Sequence, residues 1–286
     1  MSALTLPQDG EADAHRRWRE VFAAYPVIVL IANSDAVEIG ALRRDYGEDA
    51  LFVFFNKVYK VLNAPFDGPA LLVARSGPAG ANIVYRREVA DVVRLVRSPR
   101  FLGICNLRAG GHERFSPAAE FGVPDPVGHL DLTAGFEGFY PASHVATSGF
   151  ALAVFLCEQR LNARIVLAGF TAKRSTRWKL FADHDWTFEQ IVQRLLVRAG
   201  RLESANIVAD DLLHPIHQRF PEIAPAAVGA VAAEVLAERL ETANLAIDDL
   251  IRLTRPQRRF DGWLKGLKPK TRKAKIAAAA TMSDKA

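Results

Sequence analysis

Short apolar runs alternate along the chain with longer stretches in which apolar residues recur every third or fourth position. The runs predict buried strands at Pro26–Ala32, Leu51–Phe54, Ala70–Ala74, Phe101–Cys105 and Arg164–Ala168, with a weaker one at Asn206–Ala209. The periodic stretches predict helices at Asp13–Ala24, Ala36–Tyr46, Arg87–Val96, Gly149–Leu161, Thr187–Ala199 and Ala224–Leu253. Strands that are apolar throughout, separated by helices, imply an α/β architecture with a mostly parallel sheet sandwiched by helices. In such sheets ligands sit beyond the carboxyl ends of the strands. That rule directs attention to Asn33–Ser34, Asn56, Asn106 and Gly169–Phe170.

Between Ala109 and His144 the pattern fades into Gly and Pro with little periodicity, which reads as one long functional loop. After Asp210 the alternation ends, and a Pro-punctuated stretch leads into one Ala-rich helix. The expected organisation is a Rossmann-like domain over residues 1–210, a helical extension over 211–267 and a basic, disordered tail over 268–286.

Composition changes this picture only at the tail. Half of the 286 residues are hydrophobic and 24% are charged, an ordinary balance for a protein with a real core. The net charge of +5 is unevenly spread: Arg252–Lys275 holds ten basic residues against Asp261, a net +9 that leaves −4 for the remainder. Such a segment suits an anionic membrane surface, nucleic acid or simple solubility. Phe260 and Trp263 are its only aromatics, which speaks against nucleic acid. The longest apolar runs fall far short of the roughly 20 residues of a membrane span. The first residues read acidic and helical, without the apolar stretch of a secretory signal, so a cytoplasmic location is expected. Cys105 and Cys157, each in an apolar run, are expected to be core thiols rather than a disulfide framework.

Three segments can carry chemistry. VIVLIANSDAVEIGAL, Val27 to Leu42, runs from a strand through a polar turn into a helix, followed by FVFFNKVY, Phe52 to Tyr59. Asn33 and Ser34 stand where side chains bond a ligand, while Ser34 or Asp35 equally suits the N-cap of the next helix. Asn56 follows four apolar residues, and an amide at a buried strand end needs partners that a nucleotide can supply. In the second segment, Thr147-Ser148-Gly149 opens an apolar helix that leads to a strand ending in Gly169-Phe170. A helix start with small residues leaves N–H groups for a phosphate or simply caps the helix. The third is HDWTFE, in which His184 can act as a general base and Glu189 lies five residues on.

In order and spacing these segments resemble the sialyltransferase superfamily, over about Val27 to Glu189. That family's large motif runs from an apolar strand into Gly-Asn-Ser and ends in a nucleotide-contacting Asn, matched by Asn33, Ser34 and Asn56. Its small motif is matched by Thr147, Ser148, Gly149, Cys157, Gly169 and Phe170, and its His-x4-Glu motif by His184 and Glu189. The chain departs from it in carrying Ala32 where Gly is usual and in lacking a Cys near the large motif to pair with Cys157. It also lacks the Tyr residues that bacterial relatives set against the leaving phosphate; Lys173, Arg174, Arg177 and Lys179 stand there instead, either as a phosphate-holding cluster or as a solvated loop.

The resemblance implies a metal-independent, cofactor-free inverting transfer of sialic acid or Kdo from a CMP donor to a glycan or glycolipid hydroxyl. His184 would be the base, and Glu189 would orient it or the helix behind it. Asn33, Ser34 and Asn56 would hold the nucleoside, and Ser148-Gly149 the phosphate. Asp183-His184-Asp185 is also an Asp-x-Asp, the pair by which metal-dependent glycosyltransferases hold a cation, although it does not end an apolar strand. His214 and His217 lack the Cys or carboxylate company that a zinc site needs.

Overall fold

In the computed structural model the described residues are 6–8, 13–75, 82–171, 181, 183–205 and part of 224–254. The chain divides into two units, Met1–Ala209 and Asp210–Ala286.

The first unit is built on a seven-stranded, all-parallel sheet. Its strands are β1 (Val27–Ile31), β2 (Leu51–Phe55), β3 (Ala70–Arg75), β4 (Phe101–Arg108), β5 (Val127–Asp131), β6 (Arg164–Ala168) and β7 (Glu203–Ser204). Strands β1, β2 and β3 are buried at every position, because helices cover both faces of the sheet. Successive side chains enter opposite cores. Ile28, Leu30, Val53, Leu71 and Leu167 face α1 (Ala14–Ala23), α5 (Ser148–Glu158) and α6 (Trp186–Arg198). Val29, Ile31, Phe52, Phe54 and Leu72 face α2 (Ile39–Tyr46) and α3 (Val89–Val93).

The strand order is β5-β4-β3-β2-β1-β6-β7. From β1 the chain steps outward to β5, then returns through α4 (Thr133–Phe136) and α5 to lay β6 on the other side of β1. The order therefore reverses at β1/β6, and the crevice outside their carboxyl ends is where an open parallel sheet takes its ligand.

Several expectations need correction. The stretch from Ala109 to His144 is not one loop: it holds β5 and α4. Gly128 and His129 interrupt the apolar pattern of β5, which hid the strand. Its edge is covered by the N-terminal segment, where the His129 N–H donates to the Pro7 carbonyl at 2.8 Å. Strand β4 runs on to Arg108, so Asn106 is not a strand-end residue: it is buried, and its Nδ2 donates to the Ser116 carbonyl at 2.9 Å. Helix α2 starts at Ile39 rather than Ala36, and α3 spans only Val89–Val93 of the expected Arg87–Val96. The expected strand at Asn206–Ala209 lies outside the described residues.

Cys105 and Cys157 are both free and buried, and burial pushes the Cys157 thiol up to about 11. In the second unit, the described positions from 226 to 254 are helical. Among the described residues no helix is long and apolar enough to cross a membrane. Most of the basic segment, from Arg255 on, lies outside the described residues.

Candidate active site at the strand-order reversal

The carboxyl ends of β1, β2 and β3 are tied together by the two asparagines. Asn33 Nδ2 donates to the Phe55 carbonyl at 2.8 Å, and its buried Oδ1 has no hydrogen-bond partner among the described residues. Asn56 takes a positive φ of 45°, donates its N–H to the Val73 carbonyl at 2.9 Å and accepts the Arg75 N–H on Oδ1 at 3.1 Å. Asparagine tolerates this left-handed backbone better than most residues because its short polar side chain bonds locally. Ser34 caps no helix: its Oγ accepts the Ala36 N–H at 3.3 Å within a turn, while Glu38 caps α2 through the Gly40 N–H at 3.0 Å.

Two glycines let the elements around the reversal approach each other. At Gly169, with φ of 78°, a Cβ would fall 2.5 Å from Val37 Cγ2 and 3.0 Å from Ser34 Cβ. At Gly149, a Cβ would fall 2.5 Å from the Phe170 ring, which also packs edge-on against Phe55 with centroids 6.4 Å apart. Gly149, Gly169 and Phe170 therefore bring the start of α5, the end of β6 and the turn after β1 into one cluster.

The approach to α5 is the polar centre of the site. Thr147 is the N-cap, its Oγ1 accepting the Phe150 N–H at 3.2 Å. It also serves Glu189: its N–H donates to Oε1 and its Oγ1 to Oε2, both at 2.7 Å. Tyr140 donates its hydroxyl to Glu189 Oε1 and accepts the Asp185 N–H, both at 2.9 Å. Glu189 is only 2% exposed, and that burial raises its carboxyl above the ordinary value despite the donors that favour the charged form. Ser148 and Gly149, one residue further, occupy the first turn of α5, whose N–H groups have no carbonyl within the helix to bond.

His184 meets the same segment. Its Nδ1 lies 2.6 Å from the Val145 carbonyl, and the Val145 N–H donates to the Asp183 carbonyl at 2.8 Å. A carbonyl only accepts, so Nδ1 carries the proton and Nε2 keeps its lone pair. Burial lowers the His184 pKa, and the nearby Arg75 charge lowers it further; the Val145 bond, Asp183 and Glu113 pull the other way. The net lowering favours the neutral imidazole, the form a general base needs.

Asp185, half of the Asp-x-Asp pair, has a structural role, since its Oδ1 accepts the Phe188 N–H at 2.9 Å as the N-cap of α6. Among the described residues no group of three or more His, Cys, Asp or Glu could hold a metal ion. Lys173, Arg174, Arg177 and Lys179 lie outside the described residues, as do His214 and His217.

Sequence reasoning passed over Arg75 and Glu113. Arg75 ends β3 with its side chain 10% exposed, and its Nε and Nη2 grip both oxygens of Glu113 at 2.6 and 2.9 Å. Its Nη1 donates to the Ala146 carbonyl at 2.8 Å, directly behind His184's partner. An arginine closing the apolar run ALLVAR was the one local signal; the partner 38 residues on was not visible from spacing.

The described candidates thus form one connected set. His184 bonds Val145 and Glu189 bonds Thr147, which Ser148 and Gly149 follow in the chain; Gly169 and Phe170 join through Gly149, Asn33 and Ser34 join at the turn after β1, and Asn56 joins through Arg75. No protein-family model matches the chain, and no curated protein matches it.

Proposed function

We propose that the chain is an inverting glycosyltransferase that moves an acidic keto-sugar, sialic acid or Kdo, from a CMP donor to a glycan hydroxyl. The observation that carries this reading is the His184 ring, held with Nδ1 2.6 Å from the carbonyl of Val145, three residues ahead of α5. A phosphate fits a helix start of this kind, where N–H groups and the helix dipole favour negative charge. An acceptor hydroxyl can lose its proton to Nε2 as the sugar's C2 develops oxocarbenium character, leaving CMP behind. Asn33, with an unsatisfied Oδ1, and Asn56 would flank the nucleoside, and Glu189 holds the α5 cap rather than touching substrate. The resemblance to sialyltransferases implies transfer without a metal or cofactor. In this reading the basic segment Arg252–Lys275 would hold the enzyme peripherally at the cytoplasmic face of an anionic membrane, near a glycolipid acceptor.

The test is thermal stabilisation of the chain by CMP, CMP-sialic acid and CMP-Kdo. A ligand present at about 100 times its Kd adds about 2.7 kcal/mol, a clear upward shift in Tm. His184→Ala should keep that shift with CMP and lose turnover by about 10²–10⁴-fold. No shift with any of the three, or full turnover in the variant, overturns the reading.

A further inference from the structure

Two consecutive peptide units ahead of α5 are held by three ionisable side chains from different parts of the fold. The Val145 carbonyl accepts from His184 at 2.6 Å, the Ala146 carbonyl accepts from Arg75 at 2.8 Å, and the Thr147 N–H donates to Glu189 at 2.7 Å. The last two groups belong to the same peptide unit. In a trans peptide the C=O and N–H point in opposite directions, so the Ala146–Thr147 plane is gripped at both ends. The charges match its dipole: a guanidinium on the oxygen and a carboxylate on the N–H.

Arg75 is itself immobilised. Both carboxylate oxygens of Glu113 hold its fork, and Glu113 Oε2 also accepts the Ala109 and Gly110 N–H groups at 3.0 and 2.9 Å. The side chains are 10% and 9% exposed, so this is a buried pair rather than a solvated one. A bidentate fork of this kind fixes direction as well as charge. The gripped Ala146 carbonyl and the Val145 carbonyl that accepts the His184 hydrogen bond lie in adjacent peptide planes that share the Ala146 Cα.

We propose that Arg75, braced by Glu113, is a positioning residue that clamps the Ala146–Thr147 peptide against Glu189 and so keeps His184 in the Nδ1–H tautomer. The inference rests on reading His184 as the base, since only that tautomer leaves Nε2 free to take a proton. It does not require the donor to be a CMP-sugar.

The test is ¹⁵N NMR of the His184 ring in the full chain, with hydrogen exchange at the Thr147 amide. The Arg75→Met/Glu113→Gln double variant removes both members of the ion pair together, so neither is left buried without the other. It is expected to show the His184 ring as a mixture of tautomers and faster Thr147 exchange. Arg75→Lys, which keeps the cation but not the fork, should fall between the two. If the double variant folds and keeps the single Nδ1–H tautomer with slow Thr147 exchange, the clamp is overturned. If the double variant does not fold, Arg75→Lys decides: a wild-type ring and exchange rate overturn the clamp, and a partial change supports it. Neither readout uses turnover, so a failed CMP-sugar screen leaves this result standing and a failed clamp leaves the screen standing.

Discussion

At the scale of single residues, the site is a set of titratable groups whose surroundings push them in opposite directions. Glu189 is buried and its carboxyl is raised, while His184 is partly buried and its imidazole is lowered. Burial favours the neutral form of both, and perturbed groups of this kind are a signature of functional sites. Tyr140 and Thr147 occupy both oxygens of Glu189, so its visible role is to hold the α5 cap. The lowered His184 pKa has a consequence for stability. Above its unfolded value of about 6.5 the ring is neutral in both states, and the folded form has its full stability. As pH falls, the unfolded chain takes up its proton first, so that contribution is lost as pH drops through the lower folded value. Urea midpoints measured between about pH 5 and 8 should fall on the acid side, and His184→Ala should flatten part of that fall. An unchanged acid slope in the variant would mean that the folded ring titrates as freely as the unfolded one.

At the scale of elements, close approach of backbone determines where the site residues sit. Gly169 turns the end of β6 with a positive φ and leaves no room for a Cβ beside Val37 and Ser34. Gly169→Ala combines a left-handed backbone with a contact that must push the β1 turn away. The expected cost is about 1–3 kcal/mol, read as a lower chemical-denaturation midpoint. A variant as stable as the parent would show that the turn after β1 yields without resistance. The elements themselves were largely legible. β1 and β2 are unbroken apolar runs, and β3 and β6 are apolar but for Arg75 and Arg164 at one end, the pattern that a strand covered on both faces requires. β5 was lost because Gly128 and His129 break that pattern, and the start of α2 was misplaced because Ser34 and Asp35 have cap chemistry that Glu38 supplies instead. Within the site, Thr147 could be picked out because it opens a helix, His184 because it follows a strand and its loop, and Glu189 through the resemblance of its motif. Arg75 and Glu113 could not, because their meaning lies in a pairing that only the fold creates.

At the scale of the whole molecule, charge is segregated. The basic excess of +9 sits in Arg252–Lys275 and leaves the remainder at −4, so an anionic surface repels the body and attracts only the tail. Each basic residue near an anionic bilayer contributes about 1 kcal/mol, and that attraction fades beyond a Debye length of about 8 Å at physiological salt. The segment's composition favours a surface over nucleic acid, since two aromatics offer little base stacking. The full chain is therefore expected to co-sediment with phosphatidylglycerol vesicles at low salt and to be released as salt rises. A chain ending at Thr254 should lose that binding while keeping its Tm and any shift induced by CMP, because Met1–Ala209 forms a unit of its own. Equal sedimentation of both chains would place the membrane contact elsewhere. A salt-sensitive shift with RNA, absent with vesicles, would assign the tail to nucleic acid instead.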